Sequence, residues 1–243
     1  MNIITETVRW FADASHWSGS SGVPARLLEH LQISFLAVAV AAVIALPVGL
    51  FIGHTRRGEF LAVSVGNLGR ALPSFGILAL VFPLTLRYAP GSIGFAPTLI
   101  ALFLLAIPPI LTNTYVGVQN VDPDVTEAAR GMGLSGREVL FQLEVPLAAR
   151  LIVAGLRTAA VQVVATATLG AVFAWGGLGR FIVDGFAQGD DGMIVAGALL
   201  VAAVAILTEV AFTSLERVVT PRASSARRRT PETEASLIPR QAS

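Results

Sequence analysis

Residues 31–53 read LQISFLAVAVAAVIALPVGLFIG, a run that contains no charged side chain. A helix that crosses the ~30 Å hydrocarbon layer of a bilayer needs about 20 apolar residues, so this run is long enough to span a membrane. Hydrophobic residues make up 54% of the 243-residue chain, charged residues only 14%, and the mean hydropathy is +0.71. That balance excludes an ordinary soluble domain, whose surface must be wetted.

Four further apolar runs follow, and together the five predict an all-α, polytopic membrane protein. Arg70 and Pro73 interrupt the second run, and the fourth and fifth carry Arg157 and Glu209. The predicted spans are 27–53, 60–86, 93–118, 147–174 and 193–215. The membrane domain is therefore 27–215. It follows an extracytoplasmic segment, 1–26, and precedes an Arg-, Ser- and Pro-rich tail, 216–243, that we expect to be disordered.

The arginines are distributed unevenly between the two sides that these spans define. With the amino terminus outside, eleven arginines lie in inner loops or the tail, four lie outside, and Arg70 and Arg157 lie within spans. Cytoplasmic loops carry the excess of basic residues in membrane proteins, so we expect the amino terminus outside and the carboxyl terminus in the cytoplasm of a cell-membrane protein. The arginines at 227–229 fit such an anchor, and contact with anionic lipid stays open.

Composition argues against several kinds of function. The chain has no cysteine and no lysine, and its three histidines are scattered, so we expect no metal site, no cofactor and no phosphate-binding GxxxxGK[ST] loop. No cluster of His, Asp or Glu at the span ends indicates a membrane enzyme, and nothing indicates a nucleic-acid partner. An ion-coupled transporter working alone would carry inverted repeats and acids at mid-membrane, and the sequence has no obvious sign of either.

The loop 122–146 is too polar to cross a bilayer, and it predicts two short helices joined by a turn. Asp122 is the predicted N-cap of the first helix, and Pro123 fits its first position. Arg130 favours the negative helix end, and Gly131 and Gly133 predict where the helix ends.

The second helix of the loop opens on the capping-box pattern of Ser135 and Glu138. Its predicted apolar face consists of Val139, Leu140 and Leu143, and Pro146 is expected to end it before the fourth span. Such a helix pair suits either insertion into a partner's groove or a position flat on the bilayer, and periodicity alone does not decide between them.

The spacing of residues in this loop resembles the EAA loop of ABC importer permeases. The matching positions are Glu127-Ala128-Ala129, Gly133 and the ending Leu143-Glu144-Val145-Pro146, in which Leu143 and Val145 are conservative departures. The resemblance implies a type I, methionine-importer-like permease fold in which the loop couples to an ABC ATPase. The implied ATPase-coupling residues are Glu127, Ala128, Ala129, Gly133, Leu143 and Pro146.

Further segments narrow the resemblance to the osmoprotectant permeases, which import glycine betaine, carnitine, choline or similar quaternary amines. They are LPSFG at 72–76, PPILTNTYVG at 108–117, AARGMG at 128–133, GLRTA at 155–159, WGGLG at 175–179 and AGA at 196–198. Permeases of the methionine-importer type are the alternative, with another solute. The resemblance implies a non-catalytic subunit that works with an ATPase, an extracytoplasmic substrate-binding protein and a second permease, identical or similar.

Polar residues within the spans leave alternatives open. Arg157 and Glu209 are predicted to pair between spans four and five, unless Arg157 extends to the inner interface. Thr158, Gln162 and Thr166 recur every four residues, and they either line a solute path or hydrogen-bond neighbouring helices. Asn113 presents the same choice, and we favour a structural role for it. The glycine-rich turn 176–179 is either part of an outer gate or a tight loop.

Overall fold

The computed structural model describes residues 2–71 and 73–219, and within these ranges the chain is helical and contains no strand. The helices are α1 (Ile3–Ala12), α2 (Val23–Thr55), α3 (Glu59–Ala71), α4 (Ser74–Tyr88), α5 (Phe95–Gln119), α6 (Pro123–Gly131), α7 (Gly136–Glu138), α8 (Val145–Thr166), α9 (Gly179–Gln188) and α10 (Asp191–Val219). Three 3₁₀ segments, Ala14–Trp17, Pro90–Ser92 and Ala167–Phe173, and one π-helical segment, Val139–Glu144, complete them. The predicted all-α class is confirmed.

Four continuous helices in the described ranges are long and apolar enough to cross a bilayer. They are Val23–Thr55, Phe95–Gln119, Gly136–Phe173 and Asp191–Val219. Their outer faces expose large apolar side chains such as Phe35, Val43 and Leu207, which water would solvate poorly. Such exposed apolar faces are typical of a multi-pass membrane protein.

The second predicted span, 60–86, consists of two shorter helices. Helix α3 has 13 residues and α4 has 15, and Pro73 is the N-cap of α4 with an extended backbone, φ −68° and ψ 129°. Proline has no amide hydrogen to donate to a preceding turn, so helical hydrogen bonding restarts at this point. Its carbonyl accepts the first bond of α4, from the Ile77 amide at 3.1 Å.

The centre of the fold is built from α2, α5 and α8. Small residues on α2 at every fourth position, Ala37, Ala41 and Ala45, are at most 1% exposed and pack with Leu102 and Ile110 of α5. Small side chains allow two helix backbones to approach closely, which is how helices associate where lipid removes most of the hydrophobic driving force.

The amino-terminal segment, for which the sequence predicted no helix, forms α1. Trp10 of α1 is 4% exposed and its ring lies 5.2 Å from that of Phe181 on α9. A Cβ on Gly192, at the start of α10, would lie 2.9 Å from the Glu6 carbonyl carbon. Helices α1 and α9 and the starts of α2 and α10 therefore lie at one end of the molecule, and α6 and α7 at the other.

The carboxyl-terminal boundary differs in detail from the sequence prediction. Helix α10 continues to Val219, so 216–219 are helical although the predicted tail began at 216. The rest of that predicted tail, including the arginines at 227–229, lies outside the described residues.

Candidate functional site: the coupling segment and the central cavity

The first loop helix, α6, has the predicted start. The Asp122 side chain accepts a hydrogen bond from the Asp124 amide at 2.9 Å, and Pro123 follows in the first turn. The helix ends in a Schellman motif, in which Gly133 has φ +93° and the Leu134 amide donates to the Ala129 carbonyl at 3.2 Å. Gly133 therefore turns the chain, while Gly131 is the last residue of the helix itself.

The second loop helix begins as predicted and ends differently. Ser135 and Glu138 form a capping box, with the Ser135 amide donating to Glu138 Oε2 at 2.7 Å. The prediction that Pro146 ends this helix is wrong, because α7 continues through the π-helical segment into α8. The Val145 amide donates to the Leu140 carbonyl, five residues back, and this wider turn tolerates a residue without an amide hydrogen at the next position.

The predicted apolar face of the second loop helix points inward. Val139 is fully buried, so it cannot enter a partner's groove, and Leu140 and Leu143 are only partly exposed. The apolar side chains that do face outward are Met132, 77% exposed, and Phe141, 54% exposed. Sequence periodicity missed them because the direction of the face is set by packing against the rest of the fold.

The predicted coupling residues occupy different environments. Glu127, Ala128, Gly133 and Pro146 are exposed and Leu143 is half-buried. Ala129 lies on the inner face of α6 and is buried. Glu127 and Ala128 on α6, with Met132 and Gly133 in the turn that follows, expose acidic, small and apolar groups. An acidic side chain among small residues suits a partner that approaches closely and presents a basic group.

A central cavity of about 600 Å³ lies between α3, α4, α5 and α8. Its walls combine small, apolar and uncharged polar residues, and none of these lining residues is charged: Gly66, Gly69, Ser74, Leu105, Pro108, Pro109, Thr112, Asn113, Thr158 and Gln162. Two of the three predicted path residues, Thr158 and Gln162, therefore lie in its wall, while Thr166 does not.

The hydrogen bonds of the lining residues show whether these side chains join neighbouring helices. The Thr158 hydroxyl donates to the Ala154 carbonyl at 2.9 Å and the Asn113 amide to the Pro109 carbonyl at 2.8 Å, each within its own helix. The Thr112 hydroxyl is buried, and the described residues provide it no hydrogen-bond partner. These contacts do not join neighbouring helices, and Thr158 spends its one donor in them, whereas Asn113 keeps a second amide hydrogen.

Arg157 lies beside two acids of α10. Its Nη1 atom is 3.5 Å from Glu209 Oε1 and 3.3 Å from Glu216 Oε2, and Arg150 Nε is 3.0 Å from Glu216 Oε1. Glu216 is the better buried acid, with 15% of its side chain exposed against 48% for Glu209. Sequence analysis missed Glu216 because it assigned that residue to the tail.

A second contact that sequence analysis missed lies at the base of the loop. His54, in the last turn of α2, places Nδ1 2.6 Å from Oε2 of Glu144, a residue that is 5% exposed. A smaller cavity of about 360 Å³ adjoins this pair. The two residues are 90 positions apart, so no local pattern pointed to them.

The glycine-rich turn lies at the opposite end and is fixed to α2. Gly177 has φ +77°, which favours glycine, and its amide donates to Glu29 Oε2 at 2.8 Å. Arg26 binds the same carboxylate oxygen at 2.9 Å.

Comparisons with known proteins identify the family of the chain. Residues 45–225 match the family described as binding-protein-dependent transport system inner membrane component. The glycine betaine/carnitine/choline transport system permease protein OpuCB of Bacillus subtilis (strain 168) is 34% identical over 194 residues, 80% of this chain and 87% of that protein. The carnitine transport permease protein OpuCB of Listeria monocytogenes is 35% identical over 195 residues, with 80% and 87% covered.

A solved structure shares the fold. The inward-facing MetNI methionine ABC transporter, in its CY5 native crystal form, aligns with a TM-score of 0.70 at 24% identity. The alignment covers 82% of this chain and 96% of that one.

Proposed function

Because the chain belongs to the family of binding-protein-dependent transport system inner membrane components, we propose that it imports an osmoprotectant of the quaternary ammonium class. It is a permease subunit of an ABC importer, and membership of this family implies an ATPase and a substrate-binding protein as partners. Glycine betaine, carnitine or choline are the proposed solutes.

One observation carries the proposed substrate class: relatives named for these solutes are 31–35% identical to the chain over 79–91% of its length. The alternative solute, an amino acid of the methionine type, rests on a structural likeness at 24% identity, which concerns the fold. Sequence similarity over most of the membrane domain favours the quaternary amines.

The chemistry of the central cavity supports the same class. A quaternary ammonium has no N–H group, so it requires no acceptor at its nitrogen, and the described lining residues include no acid that would bind a fixed cation tightly. Thr112, Asn113 and Gln162 offer hydrogen-bond donors that suit the carboxylate or hydroxyl end of such a solute. A volume of about 600 Å³ is in the range of small-molecule sites.

The proposed coupling surface is the outward face of α6 with the turn that follows it. Glu127, Ala128 and Gly133 would lie against the ATPase, and Ala129, Leu143 and Pro146 would shape the segment that bears them. Movement of this segment would rock α8, which carries Thr158 and Gln162 in the cavity wall. We propose that the chain itself is non-catalytic and that the partner ATPase hydrolyses ATP, since the chain has no lysine for a P-loop.

The proposed topology follows the arginine distribution, with 1–26 outside, the permease domain at 27–215 and the tail at 216–243 in the cytoplasm. A second permease, identical or similar, would complete the solute path, because the cavity is open on one side of the subunit. Lipid would contact the exposed apolar faces of the spans.

The test is uptake by proteoliposomes that contain the chain, its ATPase and its binding protein. Labelled glycine betaine, carnitine, choline and methionine are supplied on the binding-protein side, with and without ATP inside. We expect ATP-dependent accumulation of at least one quaternary amine and none of methionine. Accumulation of methionine alone, or of any solute without nucleotide hydrolysis, would contradict the proposal.

A further inference from the structure

Glu144 is a carboxylate almost removed from solvent at the base of the coupling segment, which we define as residues 123–144. Its Oε2 atom lies 2.6 Å from His54 Nδ1, and the described residues give it no second side-chain partner. Hydrogen bonds of this length are typical of pairs in which at least one group is ionised. Burial of a carboxylate is unfavourable without such a partner, so the position of Glu144 depends on His54.

The pair connects two parts of the fold that otherwise meet mainly through apolar packing. His54 ends α2, whose Gly49 and Gly53 pack so closely on α5 that a Cβ at either would lie within 2.8 Å of a side-chain carbon. Helix α5 packs as closely on α8, where a Cβ at Gly155 would lie 2.7 Å from the Cβ of Asn113, so α5 links α2 to α8. Glu144 ends the coupling segment, which runs without a break into α8.

Helices α5 and α8 supply different walls of the central cavity. Thr112 and Asn113 lie on α5, and Thr158 and Gln162 lie on α8. A solute path opens or closes when these walls move relative to one another or together against a second subunit. The contact between His54 and Glu144 is placed to determine which of these movements occurs.

Other charged groups surround the pair without replacing it. Arg56, which follows α2, and Glu127 and Arg130 of α6 line the same small cavity as His54 and Glu144. Within the described ranges, the contact between His54 and Glu144 is the only side-chain hydrogen bond among these five residues. The exposed Glu127 and Arg130 remain available to a docking partner.

We propose that His54 and Glu144 form a positioning contact that transmits displacement of the coupling segment to α2, and so sets how much solute moves per ATP hydrolysed. This inference rests on the proposed function as an ATP-driven permease. Without the contact, an ATPase would still displace α6, but α2 would follow incompletely. ATP hydrolysis would then continue while less solute is carried.

The first measurement compares labelled betaine uptake with ATP hydrolysis in proteoliposomes containing the whole complex. We expect His54→Gln and Glu144→Gln to lower uptake per ATP by about fivefold or more, the lower range of allosteric coupling, while hydrolysis persists. Exchange of the two residues, His54→Glu with Glu144→His, should restore most of the ratio. Glu216→Gln, which removes another carboxylate near the same end, is the control and should leave the ratio unchanged.

A second measurement does not depend on the solute. The chain has no cysteine, so Leu28→Cys on α2 and Met132→Cys after α6 accept two labels specifically. The distance between them should stay constant when ATP binds to the complex with native His54, and it should change when His54→Gln is added. Betaine uptake that fails even with native His54 would refute the proposed function, whereas this distance would still test the contact.

Two results would overturn the proposed contact. One is a ratio of uptake to hydrolysis that is unchanged in both single variants, together with a label distance that stays constant on ATP binding in His54→Gln. The other is a proportional loss of uptake and hydrolysis with a lowered melting temperature, which the exchange variant does not reverse. The second result would assign the pair to folding alone.

Discussion

Substitution of Thr112 by valine should stabilise the protein and impair transport at the same time. The Thr112 hydroxyl is buried in the cavity wall without a hydrogen-bond partner among the described residues, and valine has nearly the same shape. A buried polar group that lacks a partner costs about 1–3 kcal/mol. Thr112→Val should therefore raise the free energy of unfolding, by about 1 kcal/mol if the hydroxyl is partly hydrated in the cavity.

The transport effect has the opposite sign because the same hydroxyl is free to bind the solute. A hydrogen bond of this kind contributes about 0.5–1.5 kcal/mol, which corresponds to a change of about two- to tenfold in rate or affinity. We expect uptake to fall by that factor while ATP hydrolysis without solute stays the same.

Thr114→Val is the matched control, two residues along the same helix. Thr114 is fully buried on the side that faces α2, and its hydroxyl donates to the Ile110 carbonyl at 2.7 Å. This variant should lose about 0.5–1.5 kcal/mol of stability and retain normal uptake. The assays are the thermal unfolding midpoint in detergent and ATP-driven uptake in proteoliposomes.

The reasoning would be refuted if Thr112→Val destabilised the protein as much as Thr114→Val. It would also be refuted if uptake were unaffected, because the cavity hydroxyl would then have no part in the solute path.

Three other predictions concern packing and helix ends. Double-mutant cycles with alanine, measured by thermal unfolding, should give a larger coupling energy for Arg157 with Glu216 than for Arg157 with Glu209. The pair with the more exposed Glu209 should be worth about 0.2–1 kcal/mol. Equal coupling energies for the two pairs would contradict this prediction. Gly53→Val should abolish accumulation of folded protein in the membrane, because a Cβ there would lie 2.6 Å from a side-chain carbon of α5; normal yield on size-exclusion chromatography would oppose it. Ser135→Ala should cost about 1 kcal/mol of stability through loss of the capping box, and an unchanged unfolding midpoint would count against that role.

The sequence predicted best what is decided within a few residues. The cap at Asp122, the turn at Gly133 and the capping box at Ser135 follow from local hydrogen bonding, and each lies where the pattern placed it. The four long spans could also be predicted from the sequence, because a helix that crosses a bilayer needs a minimum length of apolar residues.

The features that sequence analysis missed depend on contacts between distant residues. The inward direction of Val139 and the pairing of His54 with Glu144 arise only when α2 and α8 are packed together. The helix continues past Pro146 because a π-helical turn precedes it. The expectation that proline ends a helix applies to regular α-helical hydrogen bonding and does not include such a turn. Thr112 belongs to no repeating polar pattern, and only the packing of α3 and α8 around α5 places it in the cavity wall.

The lack of charge in the described cavity wall has a consequence for how such a subunit must work. A fixed cation bound by an acid in a low-dielectric site would leave slowly, and transport requires release as well as entry. On the proposed path, neutral donors such as Thr112 and Gln162 would hold a solute weakly, so the affinity that captures it would come from the separate binding protein. Weak binding also gives little energy to drive a conformational change. On the proposed mechanism, the work of opening and closing the path would therefore enter through the coupling segment, where charged and exposed residues adjoin the smaller cavity.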